Sequence, residues 1–338
     1  MTRLGLTREQ ILRFRRRVGA LDARLPAGPL SGAHAARAGL QDSMPRAALL
    51  SLHARVSATA PDALEDTAWV QIWGPRYSAY VVASGDHPIF TVGRMPDSPA
   101  KQRTFERMAA RLDALLEGRE MPADAAERAL GEARNRLRYA TLTGRLLIRW
   151  DGAHQPTVRV TSPPTLDPLD ARLELARRHL RVFGPTTVDA FTRWAGVGAR
   201  EARGAYQTLQ PELTPVRTPA GDASILSEDE AAFREPAVPA ASARLLPSGD
   251  AYYLLQGDDR ALLVPDATRR AALWTSRVWP GAVMVDGDIV GIWRRAGAVL
   301  TVEPWQRLAR AARDAVAAEA GSLPLPGLRD PIVVQWAD

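Results

Sequence analysis

The feature that most constrains the fold is residues 168–226, where three predicted helices and a hairpin follow one another. "PLDARLELARRHLRVFG" predicts a helix that ends at Gly184. "PTTVDAFTRWAGVG" and "AREARGAYQTLQPEL" predict two further helices joined by a tight turn that contains glycine. "LTPVRTPAGDASILSEDEA" then predicts two strands that turn at Gly221-Asp222. This order is typical of a winged helix-turn-helix unit.

A similar order occurs earlier in the chain. "KQRTFERMAARLDALLEG" predicts a charged helix, and a helical pair is predicted from about Ala123 to Leu142. "GRLLIRWDGAHQPTVRVTSPP" predicts a hairpin with a turn at Asp151-Gly152. Before it, "AWVQIWGPRYSAYVVASGDHPIFTVG" predicts two or three strands.

The C-terminal part is rich in predicted strands. "AYYLLQ", "RALLVP", "AVMVDGDIVGIWRR" and "AVLTVEP" indicate a small β-barrel, followed by the basic helix "WQRLARAARDAVAAEAG" and the strand "PIVVQW". We therefore predict an α+β fold of tandem winged helix-turn-helix units with a C-terminal small β-barrel. The predicted domains are 1–100, 101–165 and 166–236 for the three winged-helix units, and 243–338 for the barrel and closing helix.

Charge indicates an anionic partner. The net charge is +6 and the isoelectric point is about 10.2. Lys101 is the only lysine, so almost all of the positive charge comes from arginine, whose guanidinium can bind a phosphate through two hydrogen bonds. GC-rich coding would produce the same bias without any selection for binding. The N-terminal "TREQILRFRRR" predicts a helix with a Thr7–Gln10 capping box and four exposed arginines able to contact phosphate: Arg13, Arg15, Arg16 and Arg17.

Several classes of protein are excluded by what the sequence lacks. There is no cysteine, so disulfides and cysteine-ligated metal sites are absent. No apolar run approaches the ~18 residues of a membrane span, and the N-terminus lacks the apolar core of a signal peptide. With no glycine-rich phosphate loop and no helical pair of histidines at zinc spacing, we expect no metal and no cofactor. The expected location is the cytoplasm, in association with the nucleoid.

The stretch "AGLQDSMPRAALLSLHARV" places three polar residues, Gln41, Asp42 and Ser43, before a helix predicted from Pro45 to Val56. One interpretation is structural. Ser43 would be the N-cap of that helix, and Asp42 would interact with the positive end of its dipole. The other interpretation is that these residues form a catalytic site.

Three stretches carry a resemblance to a known family. "GLQDSMPRAALLSLHARV" is similar to the pattern "GLQ-x-Q-x-PRAALLALHAR", and "RRHLRVFGPTTVDAFTRWAGV" is similar to "R-x-LRAYGPAT-x-x-DFARWSGL". "VMVDGDIVGIWRR" is similar to "VLVDG-x-VVG-x-WR". By these stretches the chain resembles the winged-helix DNA-binding family of the AlkZ/YcaQ-type DNA glycosylases.

The resemblance implies a cleft around double-stranded DNA and excision of N7-alkylated purines. It also implies a motif of glutamine, any residue, then glutamine or aspartate, which falls here on Gln41, Asp42 and Ser43. The third position departs from the motif, because it is Ser43. The family's "W-L-M-R-G-T-x-H" strand is also altered, to "QIWGPRYSAY" at Gln71 to Tyr80.

The chemistry leaves three interpretations open. An N7-alkylguanine already carries positive charge, so the enzyme needs only to stabilise an oxocarbenium-like sugar and hold a water against C1′. Gln41 with Ser43 would hold that water, or Asp42 would act as counter-ion and general base after a change of register, or the site would be inactive. If the segment keeps the family's backbone, the middle residue points away from its two neighbours.

Other residues are candidates for DNA contact. Trp73, Arg76 and Tyr77 lie at a strand break near the expected cleft, where an aromatic ring could wedge beside a lesion. The remaining candidates are arginines at helix or strand positions: Arg46, Arg193, Arg200, Arg203, Arg294 and Arg295. Trp293, beside the last two, is expected to be structural. His53 is expected to be a satisfied helix residue, and His87 is expected to face solvent.

Two functions remain open. The first is a monofunctional DNA glycosylase that scans duplex DNA as a monomer for bulky or cationic alkylpurines. Strand cleavage through a Schiff base is not expected, because no lysine lies near the motif. The second is a non-catalytic duplex-binding protein, a regulator or lesion sensor, that has lost the water-holding pair. RNA binding has no aromatic-rich sheet motif to support it.

Overall fold

The computed structural model describes residues 4–236 and 238–337. The α-helices of these residues are α1 (Arg8–Val18), α2 (Pro29–Ala35), α3 (Ala47–His53), α4 (His87–Thr91), α5 (Pro99–Leu116), α6 (Ala123–Leu130), α7 (Pro168–Phe183), α8 (Val188–Ala195), α9 (Ala199–Thr208), α10 (Glu230–Arg234), α11 (Asp259–Leu263), α12 (Ala267–Leu273) and α13 (Arg310–Gly321). The strands are β1 (Leu4–Gly5), β2 (Leu40–Gln41), β3 (Trp69–Trp73), β4 (Ala79–Ala83), β5 (Met121–Pro122), β6 (Leu146–Arg149), β7 (Thr157–Val160), β8 (Leu213–Thr218), β9 (Gly221–Leu226), β10 (Arg244–Leu246), β11 (Gly281–Val285), β12 (Asp288–Ala296), β13 (Val299–Pro304) and β14 (Val333–Trp336). Helices and sheets together make an α+β fold.

The largest sheet has the strand order β2-β4-β3-β6-β7-β5 and is antiparallel throughout. It joins the two halves of the N-terminal part, because Gln71 of β3 pairs with Ile148 of β6. The predicted units 1–100 and 101–165 therefore share one sheet, and the division between them stays a prediction. Apolar residues of α5 and β6, among them Leu112 and Leu146, form a buried cluster under this sheet.

Helices α7, α8 and α9 precede the β8–β9 hairpin, which is the element order predicted from the sequence. The Thr187 side chain caps α8 by accepting a hydrogen bond from the Ala190 N–H. The turn of the hairpin lies at residues 219–220 and not at Gly221-Asp222, because Thr218 pairs with Gly221. Strand β1 runs parallel to β8 and thus joins the N-terminus to this sheet.

The C-terminal sheet has the order β10-β11-β12-β13-β14. Its edge strands, β10 and β14, do not pair with each other in the described residues, so the predicted small barrel is an open sheet there. Two predicted strands are also wrong. "AYYLLQ" begins with a 3₁₀ turn in which the Asp250 side chain accepts from the Tyr252 N–H, and "RALLVP" lies mostly in α11. Short apolar runs do not distinguish a strand from a buried helix.

Three further predictions about local structure need correction. The β6–β7 connection is a loop of residues 150–156 and not a tight turn, since Arg149 pairs with Thr157. The third strand predicted near residue 90 is helix α4. The capping box at Thr7 and Gln10 is confirmed. Arg15, however, is buried, because its guanidinium donates to the carbonyls of residues 183–185 and pairs with Asp259.

Candidate functional site

The motif segment lies at the edge of the large sheet. Gln41 is the last residue of β2 and pairs with Tyr80 of β4, and the Asp42 N–H donates to the Ala79 carbonyl at 2.8 Å. Because side chains alternate along an extended chain, Gln41 and Ser43 lie on one side and Asp42 on the other. We call these the Gln41–Ser43 face and the Asp42 face.

On the Gln41–Ser43 face the two side chains are hydrogen-bonded to each other. The Gln41 Nε2 donates to the Ser43 Oγ at 3.0 Å, and the Tyr80 hydroxyl donates to the Gln41 Oε1 at 3.2 Å. Burial raises the pKa of Tyr80 to about 12, so this phenol stays a donor at neutral pH. Among the described residues, the Ser43 hydroxyl hydrogen has no acceptor. The pair can therefore still bind a water molecule.

Gly249 closes the Gln41–Ser43 face from the C-terminal part of the chain. Its φ of +78° favours glycine, and a Cβ there would lie 3.0 Å from the Gln41 Cδ. The next residue, Asp250, is fixed by two hydrogen bonds from Arg55 at 2.6 and 2.7 Å and by one from Ser51 at 2.8 Å. A buried ion pair thus holds the Gly249 backbone against the Gln41 side chain.

On the Asp42 face the carboxylate is engaged by two donors. The Ala48 N–H donates to Oδ1 at 3.1 Å, and the Gln71 Nε2 donates to Oδ2 at 2.7 Å. Burial raises the pKa of Asp42 to about 6, although these two hydrogen bonds lower it. The interpretation of Ser43 as an N-cap is wrong. Helix α3 begins at Ala47, its N-cap is Arg46, and the side chain that receives a hydrogen bond from its first turn is Asp42.

The strand break between β3 and β4 carries Trp73, Arg76 and Tyr77. Trp73 is 5% exposed and packs in the core. Arg76 and Tyr77 have φ angles of 54° and 58°, which non-glycine residues rarely adopt. The guanidinium of Arg94 lies 4.7 Å from the centre of the Tyr77 ring. Arg94 is buried, and its pKa is lowered by this burial to about 10.

The predicted DNA-contacting arginines fall in two environments. Those of the α8–α9 region are exposed, and no ion pair or hydrogen bond engages them within residues 4–236 and 238–337: Arg193, Arg200 and Arg203. The others lie near the C-terminal sheet. Arg46 donates to the Pro326 carbonyl at 3.2 Å, Arg295 donates to the Gly297 carbonyl, and Arg294 is exposed. Trp293 is buried, and its indole donates to the Leu246 carbonyl at 3.0 Å.

The two histidines singled out from the sequence are structural. His53 is buried, with its Nε2 near the Ser322 Oγ and Arg24, and burial lowers its pKa to about 4. His87 does not face solvent as predicted. Its ring nitrogens lie 2.8 and 3.1 Å from the carbonyl oxygens of Ser84 and Gly144, because it begins a helix packed on the preceding turn. In the part of the chain that the structure describes, no three histidine or acidic side chains are grouped as a metal site would require.

Sequence reasoning missed three residues of the site: Gln71, Tyr80 and Gly249. One signal was available for Gln71, since it is the only amide in the apolar strand "WVQIW". Tyr80 and Gly249 carry no such signal, because only the folded chain brings them to Gln41.

Comparison with known proteins identifies the family of the chain. The model of the "DNA glycosylase AlkZ-like" family matches residues 33–324. The chain belongs to the AlkZ-like DNA glycosylase family. The match includes the motif segment, the α7–α9 helices and most of the C-terminal sheet.

Two matches to this member of the AlkZ-like family come from Streptomyces sahachiroi. Its interstrand DNA cross-link repair glycosylase is 31% identical over 161 residues, which are 46% of this chain and 42% of that protein. The solved structure of its DNA glycosylase AlkZ matches with a TM-score of 0.78 and 19% identity, over 99% of this chain and 100% of that one. The second likeness establishes a common fold. None of the described helices is both long and apolar enough to cross a membrane.

Proposed function

We propose that this protein is a monofunctional DNA glycosylase that removes N7-alkylated purines from duplex DNA by water attack on the glycosidic bond. The observation that carries the proposal is the Gln41–Ser43 pair, which keeps hydrogen-bonding capacity at the position of the family motif. The names of its relatives, a DNA glycosylase AlkZ and an interstrand DNA cross-link repair glycosylase, support the same reaction class.

Excision of a cationic alkylpurine requires only a small catalytic contribution from the site. A cationic alkylpurine is a good leaving group, so the enzyme gains most by holding a water against C1′ and by placing negative charge near the developing oxocarbenium ion. The Ser43 hydroxyl and the Gln41 amide orient the water. The Asp42 carboxylate, through its two hydrogen bonds on the opposite face, holds the segment in place. Lys101, the only lysine of the sequence, is exposed on α5 and lies outside the motif segment, so the proposal includes no Schiff base from a lysine.

The DNA-binding surface we propose uses the winged-helix arrangement of α7–α9 with the β8–β9 hairpin. Helix α9 would act as the recognition helix, on which Arg200 and Arg203 are exposed and three residues apart. Arg193 precedes it on α8. The further proposed contacts are exposed or half-buried residues near the motif, at the strand break and on the C-terminal sheet: Arg46, Arg76, Tyr77, Arg294 and Arg295. Trp73, which is buried, is not among them. Binding as a monomer and association with the nucleoid complete the proposal.

The test uses duplex DNA carrying one N7-methylguanine, with a bulky N7 adduct in parallel, and detects abasic sites by mild alkaline cleavage. We expect Gln41→Ala to lower the single-turnover excision rate about a hundredfold, because the water loses its orienting amide. Ser43→Ala should lower it less. Gln335→Ala, an amide on the distant strand β14, is the matched control and should leave the rate unchanged.

Measurements of duplex binding distinguish a loss of catalysis from a loss of DNA recognition. Each variant at Gln41 or Ser43 should bind the same duplex with wild-type affinity. Arg200→Ala and Arg203→Ala should weaken binding and each reduce the slope of log K against log salt by about 0.9, as expected for one phosphate contact. Tight binding by the wild type without excision of either lesion would contradict the glycosylase and favour a non-catalytic regulator or lesion sensor.

A further inference from the structure

The side chain of Gln71 lies directly behind the motif segment, and every polar atom of its amide is used. Its Oε1 accepts from the Trp150 N–H at 2.6 Å, and its Nε2 donates to the Trp150 carbonyl at 3.2 Å and to the Asp42 Oδ2 at 2.7 Å. The amide cannot flip, because flipping would place its oxygen against the Trp150 carbonyl and the Asp42 carboxylate. The Trp150 backbone therefore orients the donor that Asp42 receives.

The loop that contains Trp150 also supports the segment directly. Gly152 has a φ of +84°, and a Cβ there would lie 2.8 Å from the Pro45 Cα. The β6–β7 loop is thus packed against the motif segment at Pro45 and linked to it at Asp42 through Gln71. Strand β3 and helix α3 complete the support, since Gln71 is part of β3 and the Ala48 N–H belongs to α3.

We propose that Gln71 is a positioning residue for base excision: it fixes the Asp42 carboxylate and thereby keeps Ser43 in register with Gln41. Asp42 lies between the two water-holding residues in the chain, so the hydrogen bonds to its carboxylate tie the backbone that carries both neighbours to β3 and α3. This inference rests on the proposed glycosylase activity. It adds a residue outside the motif segment to the machinery of that reaction.

The electrostatics of Asp42 provide a readout that packing alone would not change. Burial, the Ala48 N–H and the Gln71 amide set its pKa, and no charged side chain of the described residues acts on it. Gln71 is thus the only side chain among them that favours the ionised form. Removing its amide raises the pKa of Asp42 further, so the ionised form is lost at a higher pH.

The experiment compares wild type with Gln71→Leu, which has a similar size but no hydrogen-bonding group. The rate of single-turnover excision of N7-methylguanine should fall about tenfold at neutral pH, with the duplex Kd unchanged. The reason is that even a small displacement of the water from C1′ slows its attack. The acid limb of the pH–rate profile should move to higher pH. Gln102→Leu is the matched control, because it removes an amide that donates to the Pro96 carbonyl away from the site.

A second pair of variants guards against misfolding. Gln71→Glu keeps an acceptor for the Trp150 N–H, but it places its own carboxylate against that of Asp42. The excision rate should therefore fall more than in Gln71→Leu. Adding Asp42→Asn restores a donor–acceptor pair with reversed polarity and should recover part of the rate lost in Gln71→Glu. A folded Gln71→Leu protein with the wild-type rate and pH profile would overturn the proposal. So would a Gln71→Glu protein whose excision rate does not rise when Asp42→Asn is added.

The carboxyl carbon of Asp42, followed by NMR titration of wild type and Gln71→Leu, separates this inference from the proposed function. If wild type excises no base, the glycosylase proposal fails. The titration then still decides whether Gln71 governs Asp42: a higher midpoint in Gln71→Leu supports that role, and an unchanged midpoint overturns it.

Discussion

The two faces of the motif segment differ in how much hydrogen-bonding capacity they retain. On the Asp42 face, both carboxylate oxygens are bound, one by the start of α3 and one by Gln71. On the Gln41–Ser43 face, the Gln41 amide donates to Ser43 and accepts from Tyr80, and the Ser43 hydroxyl hydrogen has no acceptor in the described residues. Of three adjacent polar residues, one is fully engaged in stabilising the fold, and the other two retain hydrogen-bonding capacity.

Asp42→Ala tests the structural side of this comparison and should have the largest effect on stability. It leaves the Ala48 N–H and the Gln71 amide without their acceptor, so the free energy of unfolding should fall by about 2 kcal/mol. Ser43→Ala removes only the acceptor of the half-exposed Gln41 amide, so it should cost less than about 1 kcal/mol. Urea denaturation of both variants measures the difference, and equal losses would mean that the two faces do not differ as described.

Gly249→Ala tests the Gln41–Ser43 face. A Cβ 3.0 Å from the Gln41 Cδ must displace that side chain, so excision should fall about tenfold while duplex binding is kept. The substitution also strains a φ of +78°. Gly118→Ala controls for this strain, because Gly118 has a φ of +80° and no heavy atom within 4 Å of its ideal Cβ. Both variants should lose about 1 kcal/mol of stability, and only Gly249→Ala should lose activity.

The pH dependence of stability gives the smallest effect and reports on Asp42 alone. Its pKa of about 6 in the folded state lies above its ordinary 3.8, so the folded protein holds this proton more tightly than the unfolded chain. The contribution of Asp42 to stability therefore decreases as the pH rises through 6. Between pH 5 and pH 7, the stability difference between wild type and Asp42→Asn should fall by about 1 kcal/mol. A constant difference across this range would mean that burial does not raise the pKa.

Local patterns were enough to predict much of the framework. The helices α7–α9 and the hairpin after them follow from apolar periodicity, caps and turn residues that are close in sequence. The strands of the C-terminal region were predicted well where buried and exposed residues alternate, as in β13. They were predicted wrongly in "RALLVP", because an apolar run of that length packs equally well as one turn of buried helix.

The candidate site could be located from the sequence but not divided into its two faces. The order Gln41, Asp42, Ser43 and the helix that follows were visible, and they favoured Ser43 as the cap. The backbone instead begins α3 later, after Arg46 with a φ of 65°, and Asp42 reaches its first turn. A displacement of a few residues in the start of a helix exchanges the roles of neighbouring side chains.

The sequence by itself determined the secondary structure that depends on near neighbours: the Thr7–Gln10 capping box, the α7–α9 order and the polar triplet at the motif. Only the tertiary structure decided which members of the triplet retain hydrogen-bonding capacity. The partners that decide it are Tyr80 and Gly249 on one face and Gln71, held by Trp150, on the other. These contacts depend on strand register and on loops that are distant in the chain, and no local pattern encodes them.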